Sequence, residues 1–270
     1  MRLYEGLVDA DDYLNFLKAF HVWDLKEKKE NFHFTYHERN CELGRALREK
    51  FDYAQLVAEQ KNELRIFVGL LQWVFHHLHG NGMCELKYPV TAMSILTLSK
   101  ELKIESNCYM YAVVLTELLL SLGYCARTVR CMPIDLCYSD CHCMTEVFSR
   151  EADKWIALDP ANKAYYVDSR MQPLSIWELR EVLREEKKLI VPYMGRERLG
   201  QLREYLVKNF VRFEAYKDQY INCEEEQGER VMYHLQPLCY RICDKRVVFD
   251  GFAIKHIFTG NPALFWESPE

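Results

Sequence analysis

Cys108, His142 and Asp159 are the residues around which a chemistry can be built. Cys108 follows Ser106-Asn107 at the start of a long apolar stretch, Cys108 to Leu122, that reads as a helix. His142 opens a strand-like run, His142 to Ser149, and Asp159 closes another, Lys154 to Asp159. A thiol at a helix N-terminus, with an imidazole and a carboxylate on neighbouring strands, is the layout of a cysteine nucleophile with its base and orienter. A thiol attacks poorly until it loses its proton. Three things favour the thiolate at Cys108: the positive end of the helix macrodipole, the unpaired N–H groups of the first turn, and a nearby imidazolium. The same N–H groups can hold a tetrahedral oxyanion. On this reading His142 accepts the thiol proton and later passes it to a leaving group, while Asp159 fixes the ring's tautomer and orientation. The other ten cysteines have no such context, and most read as small buried hydrophobes.

The flanking strands must supply the geometry. His142, Met144, Glu146 and Phe148 share one face of their run; Trp155, Ala157 and Asp159 share one face of theirs. An antiparallel hairpin across Arg150 to Asp153 sets His142 and Asp159 roughly opposite each other at its open end. A register slip of one residue would undo that. A third strand, Tyr124 to Met132, precedes them, and Gly123 is the natural cap of the Cys108 helix. Ala112, Val113, Leu115, Leu118, Leu119 and Leu122 cover most of that helix's circumference, so it should be central and buried.

The N-terminal third reads as mostly helical. Asp11-Asp12 caps a short helix with Tyr13, Leu14, Phe16, Leu17 and Phe20 on its apolar face, and Phe32, Phe34 and Tyr36 alternate like a strand. Helical patterns run from Cys41 to Gln60, from Lys61 to His79 with a stop at Gly80-Asn81-Gly82, and from about Thr91 to Leu102. Beyond the strands, Ser175 and Glu178 have capping-box spacing for a helix to Lys188. Leu202 to Phe213 looks amphipathic, Cys223 to Arg230 is a charged loop, and Val231 to Phe258 alternates like a hairpin pair. These elements predict an α+β fold in a single domain over 1–270: N-terminal helices and a central nucleophile helix packed on an antiparallel sheet.

Composition narrows the function classes. The chain has 270 residues, 49% hydrophobic and 13% aromatic, which predicts a packed globule with a sizeable core. A net charge of −5 gives no basic surface for nucleic acid. Ala112 to Leu122 is too short to span a bilayer, and MRLYEGLVDADD lacks a signal-peptide core, so a cytoplasmic protein without a membrane partner is expected. Eleven cysteines, an odd number, then read as reduced thiols. The rival use of the site residues is a metal: Cys137, Cys141, His142 and Cys143 are soft ligands. Yet Cys141 and Cys143 point to one side of a strand and His142 to the other, so the three should not converge without a bulge, and no paired CxxC completes a site. His76, His77 and His79 read as exposed helix-end histidines. No metal or cofactor is called for. Asn107 is an N-cap more simply than a donor to an oxyanion, though it is a candidate for both. Asn162, Tyr165 and Tyr166 follow the Asp motif closely and are candidates to line a substrate cleft, while Arg127 and Arg130 read as structural or surface strand residues.

Several of these motifs together resemble the transglutaminase-like superfamily. They are Asn107-Cys108 opening an apolar helix that ends in Leu-Gly, Arg127-x-Val129, His142 with Glu146-Val147, and Trp155-x-x-Leu158-Asp159-Pro160. The resemblance covers a core of about Leu64 to Tyr166, with N-terminal helical and C-terminal mixed extensions. Cys131-Met132-Pro133, Asp140-Cys141-His142 and Asp159-Pro160 through Ala164-Tyr165 are similar to a bacterial group of transglutaminase-like domain proteins. Tyr205-x-x-Lys208-Asn209 and Asn261-Pro262 to Trp266 extend that likeness towards the whole chain. It implies a papain-like fold and a thioester acyl-enzyme, with Cys108 as nucleophile, His142 as general acid and base, and Asp159 as orienter. The chain departs from the pattern in carrying Asn107 where many members have glycine, and Met144 where a Trp often stands. Spaced Asp/Asn calcium loops are lacking, so calcium-dependent cross-linking is not expected. The expected activity is acyl transfer from an amide of a peptide, protein or small molecule. Hydrolysis is favoured over transfer to an amine, because water needs no dedicated acceptor site. A non-catalytic interaction module with the same fold is the alternative from another class.

Overall fold

Residues 10–36, 41–80, 84, 89–134, 141–192, 194–225, 227–240, 245–249 and 252–269 are described by the computed structural model. Its first part holds α1 (Ala10–Ala19), a short strand β1 (Thr35–Tyr36), α2 (Cys41–Lys50), α3 (Tyr53–Ala58), α4 (Glu63–His77), α5 (Ala92–Leu102) and α6 (Cys108–Ser121). Next come β2 (Ala126–Met132), β3 (His142–Ser149), β4 (Lys154–Asp159), β5 (Ala164–Tyr165), α7 (Ile176–Arg184) and α8 (Arg196–Asn209). The chain continues through β6 (Arg212–Tyr216), β7 (Asp218–Gln219), β8 (Gly228–Leu235), β9 (Lys245–Phe249), β10 (Phe252–Thr259) and α9 (Pro262–Phe265).

Polar caps start the helices that matter most for the site. Asn62, Thr91, Asn107 and Ser175 each accept a backbone N–H inside the helix they precede, opening α4, α5, α6 and α7. Each such bond contributes about 1 kcal/mol by satisfying an N–H the helix leaves unpaired. Ser175 and Glu178 form the reciprocal capping box their spacing predicts. At the far end of α6, Gly123 takes a left-handed φ of 84° and its N–H bonds Leu120 O, which turns the chain into β2.

Some expected elements differ. The 41–60 run breaks into α2 and α3 because Phe51 and Tyr53 are both buried; two positions apart on one helix they would face away from each other. Asp12 lies within the first turn of α1, since that helix begins at Ala10. The α4 helix stops at Leu78, before Gly80, and Asn81 and Gly82 lie outside the described residues. The amphipathic pattern up to Phe213 ends as helix at Asn209 and resumes as the strand β6; the 223–230 loop gives way to β8 at Gly228. Nor are β8 and β10 a hairpin. They run parallel, and the antiparallel partner of β10 is β9. Alternation reveals a strand, not its direction or neighbour.

The fold is α+β. An eight-stranded sheet has the order β5-β4-β3-β2-β6-β8-β10-β9, antiparallel apart from the β8–β10 pair. On one face α6 packs against β2 and β3, with α2, α4 and α5 around it. Every residue from Met110 to Leu120 is buried. Leu17, Leu179, Leu183, Leu202 and Leu206 bring α1, α7 and α8 onto the other face, where they meet Met144 and Ala157. All eight residues of β3 are therefore buried. Truncating Leu115 or Leu118 to Ala would cost about 2–5 kcal/mol through lost transfer energy and a retained cavity. Several polar groups inside this layer pair with one another. Thr128 donates to Thr116, Thr116 to Thr145, and Thr145 to Ala112 O. Glu117, in mid-helix, accepts from the N–H groups of Ala92 and Asn222, tying α5 and residue 222 to α6; burial pushes its carboxyl up to about 8. Among the described residues no helix is long and apolar enough to cross a membrane.

Candidate active site

Asn107 sets the position of Cys108. In an extended conformation (φ −101°, ψ 174°) it accepts from Met110 N at 3.0 Å, so Cys108 is the first residue of α6. Ser106 N bonds to His79 O at 2.7 Å and Tyr111 donates to Gly80 O at 2.8 Å, which pins the incoming segment to the end of α4. Cys108 is half-buried, and as a neutral thiol it donates to the Cys141 carbonyl at 3.6 Å.

His142 and Asp159 stand at strand ends for a reason of register. His142 pairs with Cys131 of β2 at the start of β3, and Asp159 pairs with Ala164 of β5 at the end of β4. Thr145 opposes Leu158, and the same register carried on sets Asp159 beside Met144, so His142 is its diagonal neighbour rather than its direct opposite. The imidazole spans the offset: Nε2 donates to Asp159 Oδ2 at 2.8 Å. Asp159 also accepts from Tyr166 Oη at 2.8 Å, from Asn162 Nδ2 at 2.9 Å and from Asn162 N at 3.1 Å. Burial would raise its pKa, but the His142 charge and these donors outweigh burial and hold it below the usual carboxylate range.

With Nε2 committed to Asp159, Nδ1 is the ring nitrogen left for Cys108, and it has no hydrogen-bond partner among the described residues. Burial acts to lower the His142 pKa, yet the charge and hydrogen bond of Asp159, joined by Cys108, raise it to about 10. Cys108 moves the other way. The Cys143 thiol hydrogen-bonded to its sulfur is the largest influence, burial opposes it, and His142 adds to it; the thiol falls to about 5. The two shifts run in opposite directions, which favours a thiolate facing an imidazolium.

Three neighbours had no part in the Cys-His-Asp centre of the sequence reading. Cys143 Sγ lies 3.9 Å from the Sγ of Cys141, the residue whose backbone carbonyl accepts from Cys108. Strand alternation set Cys141 and Cys143 on one side and His142 on the other, and the contacts follow it: the two sulfurs are 3.9 Å apart while His142 bonds to Asp159. Cys141 itself precedes β3, and its carbonyl is where the Cys108 thiol donates. Cys137 and Asp140 lie outside the described residues. The third neighbour, Tyr205 of α8, donates to Cys141 O at 3.1 Å and sets its ring edge-on to His142, with centroids 5.2 Å apart. Adjacent cysteines around a strand-opening His were the sequence signal for the thiols, and Tyr205 entered only through the likeness of Tyr205-x-x-Lys208-Asn209, which gave it no place beside His142.

The remaining candidates are placed as follows. Asn162 is held on Asp159, and its own carbonyl accepts from Arg198 at 3.2 Å. Tyr165 is half-buried, paired with Leu158 and packed against the core around α6. Tyr109, next to Cys108, donates to Glu224, and Arg130 donates to both at 2.9 and 3.3 Å, so of the two roles expected for it, structural or surface, Arg130 has the structural one. His76 meets Lys163 Nζ at 2.9 Å, and His77 stacks on Trp73.

Residues 52–160 match the family model Transglut_core, the transglutaminase-like superfamily, a stretch that contains Cys108, His142 and Asp159. No curated protein matches the chain. A solved structure named "Putative Cysteine Protease from Cytophaga hutchinsonii" is similar at 16% identity and a TM-score of 0.34, covering 53% of this chain and 46% of that one. The chain thus spans about half the length of that protein.

Proposed function

Starting from the transglutaminase-like core at residues 52–160, we propose that the protein is a cysteine-dependent acyl-transfer enzyme that opens an amide bond through a thioester on Cys108. The observation that carries this is the opposed pair of shifts: Cys108 lowered to about 5 beside His142 raised to about 10, with Asp159 bonded to Nε2. Cys108 Sγ attacks the amide carbonyl, and N–H groups of the first turn of α6 hold the developing oxyanion. His142 delivers its Nδ1 proton to the departing amine while Asp159 keeps the ring oriented. A second nucleophile, its proton taken by Nδ1, then resolves the thioester. Water is favoured in that step, since Cys108 is half-exposed and water needs no acceptor site; an amine bound there in water's place makes the same centre a transferase. The expected substrate is an amide of a peptide, protein or small molecule.

Iodoacetamide labelling tests the nucleophile. Cys108 should alkylate at pH 6, ahead of every other thiol. Labelling no faster than in the denatured chain sinks the enzyme reading and leaves an interaction module. A panel of peptide and small amides, run with and without an added primary amine, separates hydrolysis from transfer by product mass.

A further inference from the structure

Helix α8 lies outside the matched stretch 52–160, yet one of its faces runs along the candidate site. Arg198 Nη2 donates to Asn162 O at 3.2 Å, and two turns further on Tyr205 donates to Cys141 O at 3.1 Å. Residues two turns apart share a face of a helix, so both contacts come from a single side of α8. Leu202 and Leu206, on either side of Tyr205 in the chain, are buried in the core, and Asn209 Nδ2 donates to Tyr205 O at 3.0 Å. The ring is therefore presented from a helix that is itself held in place. The geometry points to Tyr205 as a positioning residue for the Cys108–His142 pair, its hydroxyl acting beside the nucleophile and its ring beside the base. The inference rests on the proposed acyl-transfer reading and adds to it a residue from beyond the transglutaminase-like core.

The hydroxyl and the nucleophile share an acceptor. Cys141 O takes the Tyr205 O–H at 3.1 Å and the Cys108 S–H at 3.6 Å. A carbonyl beside a thiol favours the protonated form, because it can accept only while the sulfur keeps its hydrogen. Once that proton leaves, the oxygen lone pairs face a negative sulfur. Tyr205 can donate to the same oxygen in both states, so part of the carbonyl's negative charge is already engaged when the thiolate forms.

The ring acts on the other partner. It stands edge-on to His142, with an interplanar angle of 71° and centroids 5.2 Å apart, and it hinders the imidazole from swinging off Asp159. Charged and titratable groups bear on the pair from other elements. Asp159 of β4 acts on His142, Arg130 of β2 and Glu214 of β6 act on Cys141, and the thiols of Cys84 and Cys143 interact with Cys108. As a donor to Cys141 O, Tyr205 is neutral, so replacing it alters a hydrogen bond and a ring contact and leaves those charges in place.

The full chain is compared with Tyr205→Phe, which loses only the hydroxyl, and Tyr205→Leu, which loses the ring as well. Iodoacetamide labelling of Cys108 is followed from about pH 4 to 9, and exchange of the His142 ring proton on Asp159 with water is followed by NMR. In Tyr205→Phe the labelling midpoint should rise by about half a unit to one unit, the scale of one hydrogen bond, with ring-proton exchange unchanged. In Tyr205→Leu the midpoint should rise as well, and the ring proton should exchange about tenfold faster. A purely structural Tyr205 lowers the urea midpoint of both variants and moves neither readout. That result overturns the inference, as does a labelling midpoint unmoved in Tyr205→Phe or a ring proton unmoved in Tyr205→Leu. The wild type keeps the two readings apart. A Cys108 that labels slowly at about pH 6 defeats the nucleophile, and the role of Tyr205 with it, whereas a fast Cys108 with an unmoved midpoint in Tyr205→Phe defeats only the positioning role.

Discussion

Two buried ion pairs share one face of β3, and they are finished differently. Glu146 Oε2 accepts from Arg127 at 2.9 and 3.3 Å, while Glu146 Oε1 accepts from Ile176 N at 2.8 Å and Trp266 donates to the same carboxylate. Arg127 also donates to Phe265 O and lies between the rings of Phe34 and Trp155, so both partners are fully buried. Four residues away, His142 and Asp159 are just as buried, and Asp159 is as richly bonded. Of these four residues His142 alone keeps an unpartnered nitrogen, on the side of the half-buried Cys108. Burial and charge do not distinguish the two pairs. What does is an unmet valence next to a group whose proton it can take.

The comparison can be broken in order of expected effect. Cys108→Ala should lower turnover by on the order of 10⁴–10⁶-fold with the circular dichroism of the fold retained, the scale of a lost nucleophile; a loss under tenfold would put the chemistry elsewhere. Next, Asp159→Asn should reduce kcat/KM by about 10²–10⁴-fold and change the pH profile. Wild-type activity should rise as the Cys108 thiol ionises near 5 and fall as the His142 proton is lost near 10. Without the Asp159 charge that supports the imidazolium, the alkaline limb should move down towards the ordinary histidine range; an unmoved limb means Asp159 does not act through His142. Arg127→Ala should act on stability instead, costing about 3–5 kcal/mol in urea unfolding because Glu146 is left buried and unpaired, while both limbs stay in place in the folded fraction. The smallest change is Tyr166→Phe. One of four donors to Asp159 is lost, so about 1–2 kcal/mol of stability should go and activity should change by less than about tenfold. A larger activity loss would make Tyr166 a positioning residue in its own right.

Much of this was legible because it is local. Asn107, Ser175 and Gly123 sit where cap chemistry demands, and the all-round apolar pattern of Cys108 to Leu122 marked a helix buried on every side. His142 and Asp159 were readable as strand ends from alternation and from Pro160. Less was legible where chain segments had to find each other. The diagonal offset of His142 and Asp159, the parallel pairing of β8 with β10, and Tyr205 against His142 all depend on register or on contacts made across long stretches of chain. Cys143 shows the limit most clearly. Alternation assigned it to the face opposite His142, but no local pattern gave its pull on the Cys108 thiol.

Residue types, periods of 3.6 and 2, and capping spacing specify which segments become helix or strand and where a thiol, an imidazole and a carboxylate terminate them. Those preferences act over a few neighbouring bonds, so they survive without knowledge of the rest of the chain. Packing decided that Cys108 stops against the Cys141 carbonyl just before β3, that Nδ1 of His142 is the nitrogen left open, and that a second thiol acts on the Cys108 thiol. Distances, burial and pKa are properties of groups brought together by the core, and no local pattern encodes them.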